Sequence, residues 1–247
     1  MKRRLVASVV LMSALAFGER FGQHDGIAAA ATLKTVVIDW RGDSTFWGAV
    51  VISDGPPARY PQSPAQRMQI AMNEKFGPGK VTIVDHSAPG STLETDLSGT
   101  GLSAEYGNTL PLAAELSKGN ANIVITNSQI NDALAGNTVR TFSSNLKRWI
   151  RTVQASGKIP VIAEPNPICF RISIADSRRY VSAENATASR NDVTVLPLYD
   201  AFLNLPAWRT TSMASDCIHP NAAGYAFKQQ QYFASLEPIV TRLLGEQ

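Results

Sequence analysis

Two cysteines and three histidines are all that 247 residues offer for soft metal ligation. A structural zinc takes about four such ligands, and here they do not cluster, so no metal site is expected. Charge is sparse and nearly balanced, 23 Lys and Arg against 20 Asp and Glu, a net +3. Residues 1–30 hold two of those three charges (Lys2, Arg3, Arg4 and Arg20 against Glu19 and Asp25), leaving one for the rest. The basic residues that remain form no stripe and no interleaving with aromatics, which removes nucleic acid from the expected partners. Long apolar runs are missing too. "LVASVVLMSALAF", Leu5 to Phe17, falls short of the roughly 20 residues a bilayer span needs. No internal repeat or low-complexity linker divides residues 31–247, which are expected to form one domain with room for a full core.

The basic start, the short apolar stretch and the small residues after it read as a secretory signal peptide over residues 1–30. Two cleavage sites are open, at Ala28–Ala31 and at Ala14-Leu15-Ala16. Neither carries a cysteine, so no stable membrane anchor is expected and the mature chain should be exported, periplasmic or secreted. Export bears on Cys169 and Cys217. In an oxidising compartment the pair favours a disulfide over two free thiols.

Five apolar runs recur: "KTVVIDW" (34–40), "KVTIVDH" (80–86), "ANIVITN" (121–127), "IPVIAEP" (159–165) and "VTVLPLYD" (193–200). Segments of helical spacing separate them. Ser63, Pro64 and Gln66 make a capping box with proline at the first helical position, ahead of Met68, Ala71, Met72 and Phe76 on one face. Phe142, Leu146, Trp149, Ile150 and Val153 make a second stripe between Val139 and Ala155. A last helix starts near Asn221 and is expected to kink at Pro238. Strands alternating with helices of this length imply a parallel sheet covered on both faces, with its site at the carboxyl ends of the strands.

Those strand ends carry chemistry. The first run ends in Arg41, Gly42, Asp43 and Ser44, residues that cannot continue a buried strand. A serine needs a base to become a useful nucleophile, and the base needs a partner that fixes its tautomer. His24 falls in the leader, and His86 ends the second run as a packed or capping side chain. His219 follows Asp216 by three residues in a proline-containing loop, so the carboxylate can reach one ring nitrogen and leave the other for the serine. The Ser44 and Gly90 N–H groups and the Asn131 amide lie on neighbouring strand ends as donors for an oxyanion. "GTGLSA" (99–104) matches a dinucleotide G-x-G-x-x-A pattern, but it follows no strand, and no cofactor is expected.

Gly42-Asp43-Ser44, Gly90, Asn131-Asp132 and Asp216-x-x-His219-Pro220 resemble the four sequence blocks of the SGNH (GDSL-type) hydrolases. The resemblance implies an α/β three-layer sandwich, a flavodoxin-like five-stranded parallel sheet with helices on both faces. It implies Ser44 as nucleophile, His219 as base, Asp216 as its orienting acid, and Ser44, Gly90 and Asn131 as the oxyanion hole. It departs at Gln129, where the family usually has glycine, which puts a side chain beside the hole. The expected activity is hydrolysis of short-chain acyl or carbohydrate esters. Acyl transfer to envelope polysaccharide, lysophospholipase or thioesterase activity, and a non-catalytic carbohydrate-binding module remain as alternatives.

Overall fold

The computed structural model describes residues 33–51 and 58–245. The signal-peptide reading of residues 1–30, and residues 52–57 of the insert after the first strand, lie outside them. The strands are β1 (Val36–Trp40), β2 (Ala49–Val50), β3 (Ala58–Arg59), β4 (Val81–Asp85), β5 (Ile123–Thr126), β6 (Ile159–Ala163) and β7 (Thr194–Leu196). The helices begin with α1 (Ser44–Trp47), α2 (Pro64–Phe76), α3 (Leu93–Ser98), α4 (Leu102–Glu105), α5 (Leu112–Lys118) and α6 (Gln129–Leu134). They continue with α7 (Val139–Ala155), α8 (Ile174–Arg190), α9 (Tyr199–Leu203), α10 (Trp208–Thr211) and α11 (Ala222–Leu244).

All five expected runs are strands, and together they make one parallel sheet in the order β4-β1-β5-β6-β7. Counting only the sheet strands along the chain, the order is second, first, third, fourth, fifth, that of flavodoxin. In such a sheet the ligand crevice opens beside the first strand, where the connections diverge to opposite sides. β2 and β3 form a separate antiparallel pair.

The two-residue period of the strands divides the core into two layers. Val36, Ile38, Trp40, Ile123, Ile125, Val161 and Ala163 face α2 and α11, meeting Met68, Met72, Leu236 and Val240. Val124 and Ile162 face the other way, toward Phe142, Leu146, Trp149 and Val153 of α7. Ser63 caps α2 through the expected box, its hydroxyl accepting from the Gln66 N–H while the Gln66 side chain accepts from the Ser63 N–H. α11 is capped by Asn221 and runs through Pro238 as one helix. No helix among the described residues is long and apolar enough to cross a membrane.

Candidate active site

β1 ends where its apolar run ends, yet Arg41, Gly42 and Asp43 stay buried. The strand stops at Trp40 as expected, but the polar residues that end it turn inward rather than into solvent. The Arg41 guanidinium is fully buried, where Nε donates to Asp96 at 2.9 Å and Nη1 to Asp39 at 3.3 Å. Its Nη2 sits 2.8 Å from both Asp96 and Glu115, as charge contacts rather than aligned hydrogen bonds. Burial opposes the charge on Arg41, but the three carboxylates outweigh it and hold the guanidinium protonated. The Trp149 indole N–H closes the cluster on Asp96 at 2.9 Å.

After Gly42 the chain turns sharply into the single turn of α1. A Cβ at Gly42 would sit 2.1 Å from Asn127 Oδ1, the atom that accepts the Asp43 N–H, so only glycine leaves room for the Asn127 side chain against this turn. Asp43 caps α1, its carboxylate accepting from the Thr45 N–H at 2.7 Å and the Thr45 hydroxyl at 2.8 Å. Ser44 is thereby the first helical residue, and its N–H is among those a helix start leaves unpaired.

His219 arrives from the loop between α10 and α11. Its Nε2 lies 2.7 Å from Ser44 Oγ, and its Nδ1 lies 2.5 Å from Asp216 Oδ2. A carboxylate only accepts, so Nδ1 carries the proton and Nε2 is left to accept from the serine hydroxyl. Asp216 Oδ1 accepts the N–H groups of Ile218 and His219, at 3.0 and 3.1 Å. Burial pushes the Asp216 carboxyl up, but these bonds outweigh it and hold the group below its usual range.

The other expected residues converge on the same edge. Gly42 O accepts from the Ala88 N–H at 2.8 Å and the Ser91 hydroxyl at 3.0 Å, tying the Gly90 loop to the serine turn. Gly90 has φ +76, and a Cβ there would meet Leu102 Cδ1 at 2.2 Å. Neither the Gly90 nor the Ser44 N–H donates to another described residue. Asn131 Nδ2 donates to Ser91 O at 3.0 Å, which uses one of its two hydrogens and leaves the second. Asp132 is buried and bonds the Leu93 N–H, so it joins α6 to α3. Gln129 is buried with its Oε1 unpartnered among the described residues.

His86 is not brought to the serine. Its Nδ1 bonds Asp39 Oδ1 at 2.8 Å, on the Arg41 side of the sheet. Cys169 and Cys217 are disulfide-bonded, with Cα atoms 5.3 Å apart. The bridge pins the residue after Asp216 to the loop after β6, alongside a Cys169 N–H to Cys217 O bond of 3.0 Å.

A family model, the GDSL-like lipase/acylhydrolase family, matches residues 41–227. The chain belongs to that family. No curated protein matches the sequence, but several GDSL-type folds do. A lipase/acylhydrolase from Enterococcus faecalis is 18% identical, with a TM-score of 0.64 over 83% of this chain and 96% of its own. Esterase EstA from Pseudoalteromonas sp. is 17% identical, with a TM-score of 0.62 over 84% of this chain and 99% of its own. An acetyl-xylooligosaccharide esterase from Geobacillus, a mutant of Axe2, is 13% identical, with a TM-score of 0.62 over 83% and 96%. At these identities the likeness is one of fold.

Sequence reasoning missed two buried asparagines that brace the residues around Ser44 and His219. Asn127 Nδ2 donates to Thr45 Oγ1 at 2.9 Å, and Asn166 Nδ2 donates to Ile218 O at 3.0 Å. Asn127 closes "IVITN" and Asn166 lies in "EPNP". Polar residues at the ends of buried strands were the available signal.

Proposed function

We propose that the protein is an exported serine ester hydrolase that cleaves short-chain acyl or carbohydrate esters through an acyl-enzyme. The observation that carries this reading is the unbroken hydrogen-bond chain from Ser44 Oγ through His219 to Asp216. In the reaction, His219 Nε2 takes the Ser44 proton as Oγ attacks the ester carbonyl. The oxyanion receives the N–H groups of Ser44 and Gly90 and the second amide hydrogen of Asn131. His219 then protonates the leaving alcohol, and a water activated by the same imidazole releases the acid. Asp216 holds the tautomer and balances the imidazolium. The sugar-ester preference draws on the fold likeness to the Geobacillus acetyl-xylooligosaccharide esterase, and export draws on the leader expected from the sequence and on the disulfide.

The test is a panel of p-nitrophenyl esters of graded chain length and an acetylated xylan. Activity should be highest on acetyl and other short esters, and Ser44→Ala should lower kcat by about 10⁴–10⁶. An active Ser44→Ala variant would refute the reading. Acyl transfer to an added sugar, in preference to water, would make the protein a transferase that uses the same acyl-enzyme.

A further inference from the structure

Lys228 lies on α11 with its side chain buried in the core. Its ammonium sits over the faces of Phe46 and Tyr232, 5.4 and 5.7 Å from the ring centroids. Burying a cation is costly unless it is paired and hydrogen-bonded, so the position calls for a reason. Its Nζ donates to Thr45 Oγ1 at 2.6 Å and to Asn166 Oδ1 at 3.2 Å. Each acceptor stands next to a site residue. Thr45 follows Ser44 in the chain, and Asn166 bonds the carbonyl of Ile218, which precedes His219.

A closed ring results: Ser44 to Thr45, across to Lys228, on to Asn166 and Ile218, then His219, and back to Ser44 Oγ at 2.7 Å. Thr45 Oγ1 has no capacity to spare. It donates to Asp43 and accepts from both Asn127 and Lys228. Asp43 Oδ2 is buried without a hydrogen-bond partner among the described residues, and the ammonium supplies the opposite charge nearby. Burial pulls Lys228 down to about 7, with the Asp43 charge acting against that shift. A neutral amine keeps two N–H donors, so both bonds survive loss of the proton.

We propose that Lys228 is a positioning residue that sets the Ser44–His219 spacing by tying the serine turn and the histidine loop to one point on the last helix. The proposal rests on the reading of Ser44 and His219 as nucleophile and base. Lys228 touches neither the serine hydroxyl nor the imidazole, so it acts through Thr45 and Asn166. A displacement of about 1 Å at the reacting atoms costs on the order of 10²-fold in rate.

Lys228→Met keeps the apolar stem and removes the donors. In the full-length protein with p-nitrophenyl acetate, kcat should fall by about 10²-fold while KM stays within about threefold. Circular dichroism and melting establish whether that variant folds. Asn166→Ala cuts the ring at its other arm without touching Lys228, and is expected to lower kcat about tenfold, again with KM held. The Lys228→Met, Asn166→Ala double variant should lose little more than Lys228→Met alone, because one ring can be opened only once. A folded Lys228→Met or Asn166→Ala variant with kcat within threefold of the parent overturns the proposal, as does simple multiplication of the two losses. Ser44→Ala in the same assay keeps the two readings apart: if it is active, the nucleophile assignment has failed. If it is inactive while Lys228→Met is not, only the positioning role has.

Discussion

Removing the Cys169–Cys217 bridge should cost stability and rate together, for two separable reasons. The residues are 48 apart in sequence, and in the chain-entropy model a loop of that length is worth about 4 kcal/mol, gained by restricting the unfolded chain. For a protein of this size each kcal/mol moves Tm by roughly 2–4 °C, so Cys169→Ala with Cys217→Ala should melt about 10 °C lower. The rate effect has another origin. Cys217 sits between Asp216 and His219 and has the left-handed φ of +55. Without the bridge, the loop keeps the Cys169 N–H to Cys217 O bond and the Asn166 bond to Ile218 O. Those bonds limit the loosening, so kcat at 25 °C should fall about tenfold, inside the roughly 10²-fold cost of a 1 Å shift. Calorimetry and p-nitrophenyl acetate turnover, with and without reductant, measure both. Non-reduced peptide mapping of the parent shows whether the bridge is present. A bridged parent whose double-alanine variant keeps Tm within 2 °C (about one kcal/mol or less) and an unchanged kcat would refute the reasoning.

His219→Ala should be nearly as inactive as Ser44→Ala, while His86→Ala keeps most turnover; the reverse order would move the base. The Asp39 hydrogen bond raises the His86 pKa against the opposing effect of burial, so its stabilisation is present below the unfolded value and lost as pH rises through the folded one. His86→Ala should therefore lose more Tm at pH 5.5 than at pH 8.5. Burial pushes the Asp132 carboxyl up to about 6, against the bonds from Leu93 and Asn137. The folded state then holds the proton more tightly, and stability falls as pH rises from about 4 to 6, by roughly 3 kcal/mol. Asp132→Asn should flatten that slope in melts from pH 4 to pH 8, while losing one of the two acceptors that hold Leu93 and Asn137; a slope unchanged in the variant would contradict it.

Helix α7 was legible because its stripe of Phe142, Leu146, Trp149, Ile150 and Val153 is apolar and goes into the core. Helix α8, of equal length, was not. It buries Ser177, Glu184, Thr187 and Ala188 alongside Val181, so no apolar period marks it. Glu184 is buried with its Oε1 unpartnered among the described residues, and burial pushes its carboxyl well up. A carboxyl in that place is invisible to a reading that puts charge outside. The same holds for Arg41, whose burial nothing in the sequence around it marks. Its three carboxylate neighbours lie 2, 55 and 74 positions away in the chain, and only the fold brings them together.

By itself the sequence determined the five sheet strands, the helices α2, α7 and α11, and the residues at the strand ends. β-Branched runs, capping boxes and the Asp-x-x-His spacing are local signals, and each acts within one or two turns of chain. Asp216 and His219 could be paired on that basis, since their bond spans three residues. Everything that depends on distance between elements was decided by tertiary structure. Ser44 and His219 are 175 residues apart and meet at 2.7 Å because β1 and the loop before α11 end on one edge of the sheet. Lys228 is 183 residues from Thr45, and nothing in "AFKQQ" separates a buried lysine from a solvated one. Its role follows from hydrogen-bond acceptors that only the packed core can supply, and desolvation makes such acceptors necessary once the cation is inside.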